Sequence, residues 1–125
     1  MNFFDNLFFI QSIDETEDGF TARLLCNPSH PVYKAHFPGN PITPGVCVMQ
    51  MASTLFGKKL NQKVWLKAAK SVKFLSAIIP AEGNEVKFGF SRIVESEKAI
   101  KAQVLVTDDS VTFAKMSLIF SNVLV

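Results

Sequence analysis

The residues with chemistry in them fall within one stretch, 36–51, which reads His-Phe-Pro-Gly-Asn-Pro-Ile-Thr-Pro-Gly-Val-Cys-Val-Met-Gln-Met. It holds a histidine in a turn-rich loop (His36), a helix start at Thr43-Pro44-Gly45, and an apolar helix broken by one polar residue, Gln50. Imidazole titrates near neutral pH, so His36 can act as a general base. The first N–H groups of a helix have no acceptor inside it, and the helix dipole adds positive character at that end. Gly45 and Val46 can therefore hold an oxyanion or polarise a thioester carbonyl. Glycine at 45 suits that use, because a missing side chain lets a substrate approach the backbone. The competing reading is that Thr43 caps one of these groups internally. Gln50 is the odd member: an amide donates and accepts hydrogen bonds but carries no proton in acid–base work.

Three other residues invite the same question and answer it differently. His30, in the same loop, reads as structural. Cys47 lies near a helix N-terminus, which can lower a thiol pKa, but its apolar neighbours make it a core thiol. Cys26 and Cys47 have neither metal-ligand spacing nor a secretory context, so both are expected as free thiols and no metal site is expected.

The elements that must position this stretch can be read on either side of it. Leu7 to Ile13 is apolar and β-leaning, and the acidic run Asp14 to Gly19 turns it into a second strand, Phe20 to Leu25. Five prolines between 28 and 44 then predict an ordered irregular loop, neither strand nor helix. Thr43 as N-cap and Pro44 at the first helical position open a helix that runs to about Leu60. Its first two turns are apolar nearly all round, which predicts a helix wrapped by other elements. Lys58 and Lys59 suit the negative end of its dipole. Four further strands follow, near Val64–Leu75, Val86–Glu95, Ala99–Val106 and Val111–Phe120, the last two joined by the turn Thr107-Asp108-Asp109-Ser110. The sum is an α+β fold: about six antiparallel strands curled around one central helix, as a single domain over residues 1–125. Such a sheet covers one face of the helix and leaves an open sheet edge, so pairing with a second subunit is expected to continue the sheet and cover the rest.

Composition narrows the class further. Of 125 residues 48% are hydrophobic and 19% charged, which fits a globular core and excludes disorder. The twelve phenylalanines read mostly as core. No apolar run reaches the length of a membrane span, and the N-terminal ten residues lack the basic region of a leader, so a cytoplasmic protein is expected, with neither membrane nor nucleic acid as partner. Net charge is only +2, yet no acidic residue lies between Gly19 and Ala81, where eight basic ones do. Such a span can present a basic face to an acidic partner.

The string from His36 to Val46 closely resembles the β-hydroxyacyl-acyl-carrier-protein dehydratases, the FabZ/FabA-like hotdog family. The resemblance extends upstream through Asn27-Pro28-Ser29-His30-Pro31-Val32-Tyr33-Lys34. Downstream it continues through Lys70-Ser71-Val72-Lys73-Phe74 to Ile79-Pro80-Ala81-Glu82-Gly83. It implies a hotdog fold paired as a dimer and cofactor-free dehydration of 3-hydroxyacyl thioesters on acyl carrier protein to trans-2-enoyl thioesters. It also implies that His36 is the catalytic histidine, that Gly45 supplies the thioester-binding amide, and that an acyl tunnel runs beside the helix. In the family each site takes its histidine from one subunit and its carboxylate from the other. This chain departs from the pattern at the carboxylate, where it has Gln50. Three functions stay open on the residues: a dehydratase relying mainly on His36, a catalytically impaired subunit that pairs with a Glu-bearing homologue in a heterodimer, and an acyl thioesterase in which Gln50 orients water.

Overall fold

The computed structural model describes residues 6–122. The first five residues, on which half of the leader argument rests, lie outside the described residues. Six strands form one sheet: β1 (Phe8–Thr16), β2 (Gly19–Cys26), β3 (Trp65–Phe74), β4 (Glu85–Glu95), β5 (Ile100–Thr107) and β6 (Thr112–Ser121). Their order across the sheet is β1-β2-β4-β5-β6-β3, and every neighbouring pair is antiparallel. Two helices, α1 (Val32–Ala35) and α2 (Gly45–Leu60), lie between β2 and β3 in the chain.

Alternation decides which face of the sheet is buried. Phe20, Ala22 and Leu24 of β2 point to the same side as Val86, Phe88 and Phe90 of β4, and all six are buried. The same period puts Ala102, Val104 and Val106 of β5 beside Ala114, Met116, Leu118 and Phe120 of β6. Against this face lies α2. Its Phe56 makes ring contacts with Phe20, Phe90 and Phe120, at centroid distances of 5.7, 5.6 and 5.0 Å. Phe20 and Phe90 stack on each other at 4.4 Å. Burying each such side chain contributes roughly 1.5–3 kcal/mol, so the rings that tie helix to sheet hold the fold together.

Four local expectations change. The proline-rich loop is not wholly irregular, because Val32–Ala35 form one helical turn with Pro31 in helical geometry ahead of it (φ −57°). β1 runs through Thr16, well into the acidic stretch, and pairs with β2 as far as Gly19. The helix begins at Gly45 with Pro44 in extended geometry as its N-cap (φ −61°, ψ 144°), so Thr43 is not the cap. Finally, α2 is not wrapped on every side. Cys47, Val48, Met51, Ala52, Leu55 and Phe56 are buried, but Val46 is 65% exposed and Met49 and Gln50 are only half-buried. No helix among the described residues is long and apolar enough to cross a membrane.

Strand β3 is an edge, and nearly all its residues are exposed. Lys67, Lys70 and Lys73 project from it, with register shifts against β6 at Lys67 and Lys70. Of the eight basic residues in the acid-free span, Arg23 and Lys59 pair with Glu85 (3.5 Å) and Glu15 (2.9 Å). The three β3 lysines have no carboxylate partner among the described residues.

Candidate active site

His36 is the residue on which α1 ends. Its N–H donates to the Val32 carbonyl (3.0 Å) and its carbonyl accepts from the Ile42 N–H (2.9 Å). Between these bonds the chain turns through Phe37-Pro38-Gly39-Asn40, where Phe37 and Asn40 exchange backbone hydrogen bonds and Gly39 takes a φ of +75° that favours glycine. The His36–Phe37 peptide is cis. The imidazole is exposed, with its ring 4.8 Å from that of Phe37. Backbone bonding thus fixes where the histidine stands while leaving its ring nitrogens accessible.

A buried hydroxyl pair fastens this loop to the helix start. Tyr33 Oη and Thr43 Oγ1 lie 2.8 Å apart, and the Thr43 N–H donates to the Ile78 carbonyl (2.9 Å). Burial pushes the Tyr33 phenol up to about 12, with the Thr43 hydrogen bond opposing the shift. Because Thr43 spends its hydroxyl on Tyr33, it caps nothing. The Pro44 carbonyl accepts from the N–H groups of Cys47 and Val48 (3.0 and 3.2 Å). The N–H groups of Gly45 and Val46 have no acceptor among the described residues. They are the first two helical positions, one earlier than the sequence suggested, and they meet the requirement for an oxyanion site.

His36 and Gly45 share a cavity of about 580 Å³, walled by Phe37, Ile42, Val48 and Phe74. The approach to Gly45 is narrower than expected. A Cβ placed there would stand 2.6 Å from Cζ of Phe74, so the room that a side chain would fill is taken by that ring. Phe74 escaped the sequence reading, and only its place in the resembling segment could have flagged it.

The other two candidate residues stand apart. The Val46 side chain is exposed and outside this cavity; only its N–H bears on the site. Gln50 lines a second, polar cavity of about 530 Å³ with Ser53, Thr54, Gly57, Lys58 and Lys63. The two cavities share no residue. The buried Ser53 hydroxyl has no hydrogen-bond partner among the described residues. Within one chain, then, His36 and Gly45 come together and Gln50 does not join them. His30 is buried, its Nδ1 accepting from the Val32 N–H (3.0 Å), which suits a structural role. Burial pushes both the Cys26 and Cys47 thiols up, so neither is an activated nucleophile. No group of three or more His, Cys, Asp or Glu side chains with metal-binding geometry occurs among the described residues.

Known proteins bear on this arrangement. A family model described as ApeI-like, ApeI dehydratase, matches residues 12–115. The 3-hydroxyacyl-[acyl-carrier-protein] dehydratase FabZ of Wolbachia sp. subsp. Drosophila simulans is 22% identical over 122 residues, covering 90% of this chain and 85% of its own. FabZ of Clostridium acetobutylicum is 24% identical over 119 residues, covering 78% and 84%. Among solved structures, the dehydratase heterocomplex ApeI:P from Xenorhabdus doucetiae matches with a TM-score of 0.70 at 17% identity, covering 90% of this chain and 96% of that one. A putative thioesterase from Lactococcus lactis also reaches 0.70, at 12% identity and 98% of each chain. These structural likenesses establish the hotdog fold, with its curled six-stranded antiparallel sheet and helix. Because dehydratase and thioesterase match equally well, they do not choose between the two activities.

Proposed function

The chain belongs to the ApeI-like dehydratase family, and we propose that it dehydrates 3-hydroxyacyl thioesters carried on acyl carrier protein, giving trans-2-enoyl thioesters in lipid or polyketide-type synthesis. The single observation that carries this reading is the cavity shared by an accessible histidine and the unpartnered N–H of Gly45, with the equally unpartnered Val46 N–H next in the chain. In it the thioester oxygen accepts from the Gly45 and Val46 N–H groups. His36 removes the proton next to the carbonyl, and the electron pair moves onto that oxygen. As the enolate collapses, the bond from C3 to the hydroxyl oxygen breaks, and the imidazolium returns its proton to give water. No cofactor enters this sequence. The apolar walls favour the acyl group, and the unpaired lysines of β3 suit an acidic carrier protein.

Gln50 supports a second reading. It lies outside the cavity of its own chain's His36, which is compatible with the arrangement the family resemblance implies, in which this position meets the histidine of a second subunit. An amide there hydrogen-bonds the departing hydroxyl without protonating it. A partner with a carboxylate at that position completes the site formed with this chain's His36, which makes this chain one half of a heterodimer.

Turnover of a 3-hydroxyacyl-acyl-carrier-protein substrate by the purified chain tests both. Turnover that disappears in His36→Ala supports the first reading. Activity only after mixing with a Glu-bearing homologue supports the second. Hydrolysis of saturated acyl thioesters, with no dehydration, overturns both in favour of a thioesterase.

A further inference from the structure

The backbone that carries Phe74 is held on both sides. Phe74 pairs with Ala114 across β3 and β6, and the next two N–H groups, of Leu75 and Ser76, both donate to the Phe113 carbonyl at 2.8 and 3.3 Å. This places the ring at the end of the edge strand, directly over the first residue of α2. Cζ, Cε2 and Cε1 of the ring lie 2.6, 2.7 and 3.3 Å from where a Gly45 Cβ would be. The ring therefore rests on the glycine, and a side chain at 45 would require the ring to shift. Phe74 as a whole remains 52% exposed. A carbonyl oxygen that accepts from the Gly45 N–H sits within about 3 Å of that nitrogen, and the cavity that receives it is lined by the same ring.

We propose that Phe74 is a specificity-determining residue: seated on Gly45, its ring walls the carbonyl end of the cavity and excludes 3-hydroxyacyl thioesters that carry a branch on the carbon next to the carbonyl. The inference rests on the dehydratase reading for its substrate class. It assigns Gly45 two tasks, an N–H for the substrate and a bare Cα for Phe74. A linear acyl group passes beside the ring, whereas a methyl branch meets it. A single methyl group that meets the wall of a substrate site changes discrimination by about ten-fold or more.

The test compares N-acetylcysteamine thioesters of 3-hydroxyoctanoate and 2-methyl-3-hydroxyoctanoate on the full chain, as wild type and as Phe74→Ala. Binding is read by calorimetry and turnover by enoyl absorbance. The ratio of the two dissociation constants should fall at least about ten-fold toward the branched compound in Phe74→Ala. An unchanged ratio overturns the proposal, and so does failure of both compounds to bind either protein. Binding without turnover sinks the dehydratase reading alone, since the ratio still decides whether the ring is the wall. The seat itself is read separately by thermal unfolding. Gly45→Ala should lower the melting temperature of the wild type and leave that of Phe74→Ala nearly unchanged. An equal drop in both backgrounds shows that the ring does not rest on Gly45.

Discussion

The two cavities along α2 differ in nearly everything except their helix. The one at its N-terminus is walled by Phe37, Ile42, Val48 and Phe74, and it brings together a histidine fixed by its backbone and the free N–H of Gly45. The one beyond Gln50 is lined by Ser53, Thr54, Lys58 and Lys63, and its buried Ser53 hydroxyl has no partner among the described residues. Apolar walls offer an acyl chain a surface to bury. A polar groove gains no such advantage. The difference teaches that one chain brings His36 and the free Gly45 N–H into a single cavity by itself, while Gln50 lines the other.

The strongest way to break that comparison is to remove the proposed base. His36→Ala should lower dehydration by about 10²–10⁴-fold, the usual worth of a positioned proton-transfer group. A steady-state assay on acyl carrier protein substrate reads this directly. Activity within a few-fold of wild type would move the chemistry out of the N-terminal cavity. Gln50→Glu is the converse experiment. In a paired assembly it restores a proton carrier to the second position, so kcat should rise by roughly ten-fold or more. No rise, in an assembly of two copies shown by native mass measurement, would mean that Gln50 never meets a second subunit's His36.

Much of this arrangement was legible from residue types, and what was not has a common cause. Strand alternation in Phe20–Leu24, Val86–Phe90 and Val104–Val106 depends on neighbours two residues apart, so it survives in the sequence. The helix was legible from its apolar run, and its C-terminus from Lys58 and Lys59. The helix start was misplaced because Thr43 bonds Tyr33, ten residues back, and no local pattern shows that a hydroxyl is already spent. The short turn Val32–Ala35 was hidden by flanking prolines, though Pro31 has a backbone geometry that a helix accepts. The open face of α2 follows from the same apolar run, since one sheet covers only one face of a helix that is apolar nearly all round, and Val46 is 65% exposed. Gly45 was read as open to substrate. Its contact with Phe74 comes from twenty-nine residues downstream in the sequence, and only the fold brings the two together.

The buried hydroxyls of the two regions sharpen the comparison at lower energies. Thr43 is satisfied by Tyr33, so Thr43→Val should leave the Tyr33 hydroxyl buried and unpaired and cost about 1–3 kcal/mol, read by denaturant unfolding. A pH signature accompanies it. The Tyr33 phenol titrates near 12 when folded, above its ordinary value near 10, so the unfolded chain gives up this proton first. Stability should therefore fall as pH rises from about 10 to about 12, and Tyr33→Phe should remove that part of the slope.

Ser53 is the reverse case and the smallest expected effect. Its hydroxyl is out of water and makes no hydrogen bond among the described residues, so it carries a desolvation cost with no return. Alanine removes the oxygen, keeps the helix, and leaves a space no larger than one atom. Its higher helix propensity adds a few tenths of a kcal/mol in the same direction. Ser53→Ala should therefore be neutral or stabilise the chain by up to about 1 kcal/mol, where the matched change at Thr43 destabilises it. Unfolding midpoints of the two variants, measured side by side, decide the point. A destabilised Ser53→Ala would mean that the hydroxyl has a partner in solution, which would make the groove beyond Gln50 an organised polar site after all.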